Sequence, residues 1–269
     1  MSSGRRTIDD FGAQFQRYRS GHNEGFYGGV EGLQDFFGPL LDVETLRGKR
    51  VAEIGAGPGR IVNVLLDAGV AHVTAVEPSE AFDVLACNTR ARAGQVTYVK
   101  ATGDQLPLGD YDAVFSVGVL HHIEDVDPVV ARACWSLRPG GEFYAWLYGC
   151  EGNRLYLALL RPLRQMTKRM PDAFVAACAH VLTALLGGYI WLCRTTALPL
   201  PLRRHALGAM AKYTRHQRFL VLFDQLNPAY ARYYSGAEAQ ALLERNGFSD
   251  VQLYHRHGHS WAVRGTRRR

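Results

Sequence analysis

The sequence predicts an α/β protein with a doubly wound, mostly parallel sheet of seven strands and a helical insertion after the fifth strand. Three observations predict this fold class. Short β-branched runs alternate with helical stretches over the first 150 residues, which is typical of parallel strands joined by right-handed crossovers. A basic and strongly apolar segment then interrupts the pattern. After this segment the pattern resumes with a helix and two further strands.

The predicted elements follow one another in a regular order. Five strands are predicted at 49–54, 73–76, 96–100, 111–117 and 142–148. Helices are predicted, from the helical spacing of apolar residues, at 60–68, 80–93, 128–137 and 237–246. Glycines or the turn at 138–141 end most of them. The last two strands, 251–255 and 261–264, flank a turn at 257–259, and residues 1–45 are expected to be helices or loops that pack on the sheet.

Composition excludes several classes of protein. Of 269 residues, 47% are hydrophobic and 21% are charged, which excludes a disordered chain, a collagen and a disulfide scaffold. The net charge of +6 is weaker than that of a dedicated nucleic-acid binder. Five scattered cysteines form no CxxC pair, so neither a disulfide framework nor a zinc site is expected. The first residues contain no apolar stretch typical of a signal peptide, and we expect a cytoplasmic location.

The charge is unevenly distributed along the chain. Residues 150–220 carry a formal charge of +9, which leaves −3 for the rest. The same segment contains an uncharged run at 173–193, whose 21 residues are enough to span a bilayer on length alone. Because this run contains His180, Thr183 and a Gly-Gly pair, buried helices are favoured, and contact with a membrane surface and a true span are the alternatives.

These changes in composition predict four regions. They are an N-terminal helical cap (1–45), an α/β core (46–149), a basic, apolar helical insert (150–232), and a final helix and hairpin that complete the core (233–269).

The most informative stretch is a glycine loop that follows the first strand. Gly55, Gly57 and Gly59 let a ligand approach the backbone and leave N–H groups at the start of a helix. A dinucleotide site would have the spacing G-x-G-x-x-G, whereas the spacing here is G-x-G-x-G. Glu53 at the strand end would also repel a pyrophosphate. The loop therefore favours a ligand with a positive charge or an ammonium group over a nicotinamide dinucleotide.

This loop and three later stretches resemble the class I S-adenosylmethionine-dependent methyltransferases, whose fold is Rossmann-like. Glu77 ends the second strand, 24 residues after Glu53. The other matching stretches are 102–107 after the third strand, 111–116 with 119–123 at the fourth, and 137–141 before the fifth. The resemblance covers about residues 50 to 148 and implies S-adenosylmethionine as cofactor, with S-adenosylhomocysteine as product.

The resemblance also implies roles for individual residues. The loop would cradle the methionine half of the cofactor, Glu77 would accept both ribose hydroxyls, and Asp104 would contact the adenine amino group. Phe11 to Gln14, together with Tyr18, resembles N-terminal caps that close over the cofactor. The expected cofactor-binding residues are Tyr18, Glu53, Gly55, Ala56, Gly57, Gly59, Glu77, Pro78, Gly103, Asp104, Gln105, Ser116, Val117 and Gly118.

The stretch after the fourth strand bears on the acceptor. Residues 119–123 read Val-Leu-His-His-Ile, as in small-molecule methyltransferases, and lack the Asn/Asp-Pro-Pro-Tyr/Phe stretch of enzymes that methylate amide or nucleobase nitrogens. We expect transfer to oxygen, nitrogen or carbon of a secondary metabolite, sugar, lipid or quinone precursor. His121 or His122 could act as a general base, since imidazole titrates near working pH. The alternative is that one histidine binds the loop and the other packs near the cofactor.

The resemblance implies that the basic insert (150–232) is a substrate lid, because such methyltransferases place variable elements after the fifth strand. Partners and alternatives follow from this insert. An anionic or lipophilic acceptor is expected, without nucleic acid, and either a monomer or a homodimer is compatible with the sequence. No metal site is expected, because a turn at Gly258 would break the strand face that His255, His257 and His259 could share. Two alternative functions are a membrane-surface methyltransferase of a lipid-like or isoprenoid acceptor and a cofactor-binding module without transfer activity.

Overall fold

The computed structural model describes residues 3–17, 29–167, 170–196, 198–208, 210–226 and 230–268. The chain divides into two compact units. The sheet unit consists of Met1–Arg154 and Tyr230–Arg269, and the inserted unit consists of Leu155–Ala229. The inserted unit falls within the insert predicted at 150–232, and the role of that insert as a substrate lid stays a prediction.

The secondary structure comprises seven strands and, within the described ranges, ten α-helices. The strands are β1 (Arg50–Ile54), β2 (His72–Val76), β3 (Val96–Val99), β4 (Tyr111–Val117), β5 (Leu137–Tyr148), β6 (Phe248–Arg256) and β7 (Ser260–Arg267). The helices are α1 (Ser3–Arg17), α2 (Gly29–Phe37), α3 (Arg60–Asp67), α4 (Ala81–Thr89), α5 (Asp127–Ser136), α6 (Arg154–Thr167), α7 (Asp172–Thr195), α8 (Arg203–Gly208), α9 (Arg215–Leu226) and α10 (Gly236–Arg245).

All seven strands form one sheet in the order β3-β2-β1-β4-β5-β7-β6. Strands β1 to β5 are parallel, and β7 lies antiparallel between β5 and β6. The predicted fold class is therefore confirmed. The chain order reverses between β1 and β4, and at such a switch point the connections after the two strands diverge and leave a crevice for ligands.

The sheet is buried on both faces because alternate residues of each strand point to opposite sides. Val51 and Phe115 pack with α2 and α3, whereas Ile54 and Val114 pack with α5 and α10. Helix α10 begins with a capping box in which Ser235 and Glu238 satisfy each other's backbone N–H groups. With both faces covered, the strand ends are the part of the sheet that remains available to a ligand.

Two predicted elements differ from the structure. The helix predicted at 80–93 ends at Thr89 and continues as a 3-10 segment, in which Arg92 leaves helical geometry. The turn predicted at 138–141 lies inside β5. Tyr111 pairs with Leu137 and Ala113 pairs with Glu142, so the extra residues of β5 form a bulge that contains Gly140 at φ 75°.

The final hairpin is longer than predicted, but its turn lies where it was expected. His257 and Gly258 have φ values of 49° and 74° and connect β6 to β7. His255 lies on β6 and stacks on Trp261, whereas His257 faces Asp35 from the turn. The three histidines therefore share no strand face. Within the described ranges there is no group of three or more His, Cys, Asp or Glu residues that could hold a metal ion.

The inserted unit has its own small core. Ile190 and Cys193 of α7 pack against Ala206 of α8, and α7 also packs against α9, where His180 stacks on Phe219 at 4.2 Å between ring centroids. Among the described helices, α7 is long and apolar enough to cross a membrane by length and composition. However, only 28% of its most apolar stretch of 18 residues is buried. The expectation of buried helices therefore holds for one face of α7 only, because the other face is exposed.

Candidate active site

The glycine loop joins β1 to α3 at the switch point of the sheet. Gly55, Gly57 and Gly59 have φ values of 75°, 51° and 84°, a region that residues with side chains rarely adopt. A Cβ on Gly55 would lie 2.4 Å from Cγ2 of Val119, so glycine is also required for the close approach of the loop that follows β4. The N–H groups of Gly55 and Ala56 donate to the carbonyl of Val76 at 2.8 and 3.0 Å.

Glu77 lies at the end of β2, beside this loop, and only 6% of it is exposed. One carboxylate oxygen accepts the N–H of Gly57 at 2.7 Å. The other accepts the N–H and the hydroxyl of Ser79 at 2.9 and 2.5 Å. Because a carboxylate offers about four lone-pair sites, Glu77 retains capacity to accept further O–H donors. The neighbouring Pro78 is half-buried.

Glu53 is a buried carboxyl group at the carboxyl end of β1. Burial raises its pKa well above the usual value, and the nearby charge of Glu77 acts in the same direction. The guanidinium of Arg60 opposes both effects. Within the described part of the chain, Oε2 of Glu53 has no hydrogen-bond partner. A buried carboxylate oxygen without a hydrogen-bond partner lowers the stability of the folded protein. A cationic ligand would compensate for this loss most strongly.

Gly103, Asp104 and Gln105 form a short 3-10 turn after β3. Gly103 is buried, and a Cβ there would lie 2.6 Å from Cγ2 of Ile54 and 2.7 Å from Cγ1 of Val129. Glycine is therefore required for packing at this position. Asp104 and Gln105 are exposed. The turn thus lies against the end of β1 and leaves its two polar side chains accessible.

Ser116, Val117 and Gly118 end β4 next to β1. The hydroxyl of Ser116 is fully buried and donates to the carbonyl of Ile54 at 3.4 Å. Val117 packs against the core beside α2 and α3. Gly118 has φ 80°, and its N–H donates to the carbonyl of Trp146. The side chains of Ser116 and Val117 are therefore used within the sheet, and the backbone at Gly118 is the part of this segment at the crevice edge.

His121 and His122 lie in a 3-10 turn that follows β4, and both are buried. The ring of His121 stacks on Tyr148 with 3.6 Å between centroids. Nδ1 of His122 lies 2.9 Å from the carbonyl oxygen of Tyr230. Because a carbonyl only accepts hydrogen bonds, Nδ1 is the donor, and in the neutral ring the lone pair is then on Nε2. The two histidines therefore have different environments.

Helix α1 covers the glycine loop and the histidine turn. Phe15 reaches within 3.4 Å of the position that a Cβ of Gly57 would occupy, and Phe11 contacts the ring of His122 at 4.9 Å between centroids. A Cβ on Gly12 would lie 3.0 Å from the backbone N of Glu80, so the helix lies directly on the chain after β2. Tyr18, predicted to bind the cofactor, lies outside the described residues.

Two tyrosines complete an aromatic wall whose assembly the sequence did not predict. Tyr148 ends β5 at the same edge of the sheet, and Tyr233 stacks on it with 5.4 Å between centroids. The returning chain is fixed there because Tyr234 donates its N–H to the carbonyl of Tyr148 at 2.8 Å. The only sequence signal for Tyr148 was its place at a strand end, and the signal for Tyr233 was the local aromatic cluster of Tyr230, Tyr233 and Tyr234. We define the aromatic wall as Phe11, His121, His122, Tyr148 and Tyr233.

Comparison with known proteins relates this chain to methyltransferases. Residues 52–145 match a family model described as a methyltransferase domain. The structure is similar to magnesium protoporphyrin IX methyltransferase of Synechocystis PCC 6803, crystallised with bound S-adenosylmethionine, with a TM-score of 0.54, 16% identity and coverage of 99% and 98% of the two chains. The chain thus matches a methyltransferase domain over residues 52–145, and its fold is similar to that of this cofactor-binding methyltransferase.

The names of the curated relatives differ in the acceptor that is methylated or modified, so they indicate no particular acceptor for this chain. The chain is 30% identical over 148 residues to the ubiquinone biosynthesis O-methyltransferase of Aromatoleum aromaticum, which covers 46% of this chain and 63% of that protein. It is 27% identical over 149 residues to the tRNA U34 carboxymethyltransferase of Alteromonas mediterranea, which covers 51% and 45%. The chain therefore spans less than two thirds of these relatives, and the expected absence of a nucleic-acid partner stays a prediction.

The residues of the site fit S-adenosylmethionine, the cofactor that the resemblance implies. Oε2 of Glu53 is a buried acceptor that lacks a partner in the described residues, and the ammonium group of a methionine moiety is a suitable one. Glu77 would hold the ribose hydroxyls beside the N–H of Gly57. The left-handed glycines keep the loop free of side chains where the ligand would approach. Asp104 is exposed and accessible to the adenine amino group.

Proposed function

We propose that the protein is an S-adenosylmethionine-dependent methyltransferase that acts on oxygen, nitrogen or carbon of a small-molecule acceptor. The observation that carries this proposal is the buried acceptor of Glu53, next to Glu77 and the glycine loop, at the switch point of the sheet. Two carboxyl groups at this place disfavour a pyrophosphate and favour a ligand with a cation and vicinal hydroxyls.

The bound cofactor would supply an electrophilic methyl group on a sulfonium and leave as S-adenosylhomocysteine. The residues of this chain supply orientation and a dry environment. Glu53 would hold the ammonium group and Glu77 the ribose hydroxyls, so the two carboxyl groups would orient the bound cofactor. Phe11 and Phe15 of α1 exclude water above the loop, and aromatic faces attract cations.

We assign the general base to His122 where the acceptor is a hydroxyl. Its Nδ1 proton is held by the carbonyl of Tyr230, so in the neutral ring Nε2 carries the lone pair that accepts a proton. The hydroxyl proton would pass to Nε2 while the acceptor oxygen takes the methyl group that the cofactor would supply. His121 stacks on Tyr148 and positions the turn that presents His122.

The aromatic wall supports a small acceptor with an apolar or planar part. The name of the relative from Aromatoleum aromaticum, an O-methyltransferase of ubiquinone biosynthesis, also supports a small-molecule acceptor at oxygen. The relative that acts on tRNA keeps tRNA among the acceptors that must be tested. A lipid-like or isoprenoid acceptor is a second candidate, because one face of α7 is apolar and exposed.

Calorimetric titration tests the cofactor assignment. We expect S-adenosylmethionine and S-adenosylhomocysteine to bind in the micromolar range and NAD not to bind. Glu77→Ala should weaken binding about tenfold or more, since a hydrogen bond to a charged group is worth about 1.5–3 kcal/mol. Glu44→Ala is the matched control, because Glu44 is an exposed carboxylate distant in sequence from the loop. Binding of NAD alone, or equal affinity in Glu77→Ala, would contradict the assignment.

Transfer is measured separately from binding. A panel of phenols, amines, isoprenoid quinone precursors and tRNA is incubated with the protein and the methyl donor, and S-adenosylhomocysteine is quantified. Product that depends on one small-molecule class supports the proposal. Product with tRNA alone would replace the small-molecule acceptor, and binding without product from any acceptor would favour a cofactor-binding module.

A further inference from the structure

Helix α7 carries an apolar stripe along its exposed side. Phe174, Val181, Leu185 and Leu192 follow one another at intervals of seven, four and seven residues, which places them on one face of a helix. Their exposed fractions are 49%, 60%, 65% and 37%. Trp191 lies at the edge of this stripe and is 66% exposed. We call these five residues the α7 stripe; it is about 27 Å long at 1.5 Å per residue.

The opposite side of α7 is already covered within the inserted unit. Val175, Ala179, Thr183, Ile190 and Cys193 are buried. Helix α8 packs on the end of this side, and α9 also packs on α7. The helix therefore has two apolar sides, of which only one is used by its own unit. A contiguous exposed apolar stripe of this kind marks a surface that contacts an apolar phase or a partner.

The charge of the inserted unit identifies the partner. Residues 155–229 contain ten Lys and Arg residues and two Asp residues, a formal charge of +8. The two acids can neutralise at most two of the ten cations. Arg194, at the end of α7, and Lys212 and Arg215 are exposed. The α7 stripe itself contains no charge, so the inserted unit carries both an apolar stripe and exposed cationic side chains.

We propose that the α7 stripe docks the protein on the surface of an anionic lipid bilayer. Apolar side chains with Trp at the edge insert at the boundary between headgroups and acyl chains, and Lys and Arg then contact lipid phosphates. A second copy of the chain fits less well, because pairing two units of +8 brings like charges together. A nucleic acid would leave the uncharged stripe without a matching surface.

The geometry places α7 along the membrane surface and not across the bilayer. The residues on its packed side are buried, and Ile190 and Cys193 pack against Ala206 of the same unit. Crossing the bilayer would require those contacts to be given up. A helix with one packed side and one apolar side can instead enter the interface with the exposed side alone.

Vesicle flotation with the full-length protein tests the proposal. Vesicles of phosphatidylglycerol and phosphatidylcholine in equal amounts are compared with vesicles of phosphatidylcholine alone. We expect binding to the anionic vesicles that weakens at least tenfold between 0.05 and 0.5 M NaCl, since salt screens the cationic contribution. Leu185→Gln with Trp191→Gln should lower the affinity for anionic vesicles at least tenfold, because it removes apolar contact and leaves the charge unchanged.

The sheet unit offers a matched control for the double variant. Leu108 and Trp135 are 63% and 66% exposed, almost the same as Leu185 and Trp191 at 65% and 66%. Leu108→Gln with Trp135→Gln should bind vesicles as the unchanged protein does. For the charges, Lys212→Gln with Arg215→Gln should weaken binding, and Arg47→Gln with Arg90→Gln should not. Binding of S-adenosylhomocysteine verifies independently that the sheet unit of each variant is folded.

Three outcomes would overturn the proposal. The first is absence of binding to anionic vesicles by the unchanged protein, and the second is equal loss in the two Leu/Trp double variants. The third is a dimer, measured by light scattering, that Leu185→Gln with Trp191→Gln converts to a monomer while neither form binds vesicles. That result would assign the stripe to self-association. None of these outcomes depends on cofactor binding or transfer activity, so the proposed methyltransferase function is tested separately.

Discussion

At the end of β1, Glu53 is held towards its protonated form by burial and by the neighbouring Glu77. Because its folded-state pKa lies above the usual 4.5, the folded protein binds a proton that the unfolded chain has released, and stability falls as pH rises through that interval. A residue selected for packing alone would not impose this cost. A cationic ligand removes it, which is the physical reason to read Glu53 as a binding group.

Substitution of His122 distinguishes a role in proton transfer from a role in cofactor binding. We expect His122→Gln to lower kcat about 100-fold or more with an O–H acceptor, because removal of a general base typically costs 10²–10⁴-fold. The affinity for S-adenosylmethionine should stay unchanged. Steady-state kinetics and calorimetry separate the two effects. His72→Gln is the control, since this ring lies at the start of β2 beside Thr97. An unchanged kcat in His122→Gln would show that transfer needs no base there.

The sequence could predict the site residues at strand ends with a regular spacing along the chain. It could not predict the site residues that the fold brings together from distant segments. Glu53, the three glycines and Glu77 belong to strand ends whose spacing is visible in the sequence. Tyr148 and Tyr233 come from separate parts of the chain and meet because the returning segment pairs with β5. That pairing is made by backbone hydrogen bonds, so no particular side-chain type in the sequence indicates it.

At the scale of elements, the parallel strands were predictable because each is a short run rich in β-branched or aromatic residues, followed within a few residues by a glycine or a proline. The bulge in β5 was not, because Arg-Pro-Gly-Gly is typical of a turn in any isolated segment. In the sheet, Leu137 pairs with Tyr111 of β4 and continues the ladder past the glycines. The helix after β2 ended early for a similarly local reason, the departure of Arg92 from helical geometry.

The glycine loop provides the sharpest test of an element. Gly55→Ala should lower the free energy of unfolding by about 2–4 kcal/mol, because a left-handed backbone and a clash with Val119 each cost about 1–3 kcal/mol. Gly94→Ala is the control, since a Cβ there meets nothing within 4 Å and its φ is not positive. Urea unfolding measures both. Equal stability of the two variants would mean that the loop does not approach Val119 so closely.

At the scale of the molecule, the chain combines two units of opposite character. The sheet unit carries the carboxyl groups of the site and a formal net charge of −2, whereas the inserted unit carries +8. The charge boundary predicted from sequence at about residue 150 falls near the observed division after Arg154. Composition revealed this division because it changes along the chain. Which face of α7 is exposed could not be predicted, since its uncharged run is apolar on all sides.

The division into units predicts how the cofactor product stabilises the molecule. The residues assigned to the cofactor, among them Glu53, Glu77 and Asp104, lie in the sheet unit. S-adenosylhomocysteine at 100 times its Kd should therefore slow exchange of the most protected amides of β1, β2 and β4 about 100-fold, equivalent to about 2.7 kcal/mol.

Amides of α7 and α9 should exchange at unchanged rates in the same experiment, and hydrogen-exchange mass spectrometry resolves the two sets by peptide. Those helices are the internal control, because they belong to the other unit and hold no residue assigned to the cofactor. Equal protection of α7 would show instead that the insert closes when the product binds. In that case the predicted lid responds to the cofactor site itself, and binding to membranes and to cofactor should then be coupled.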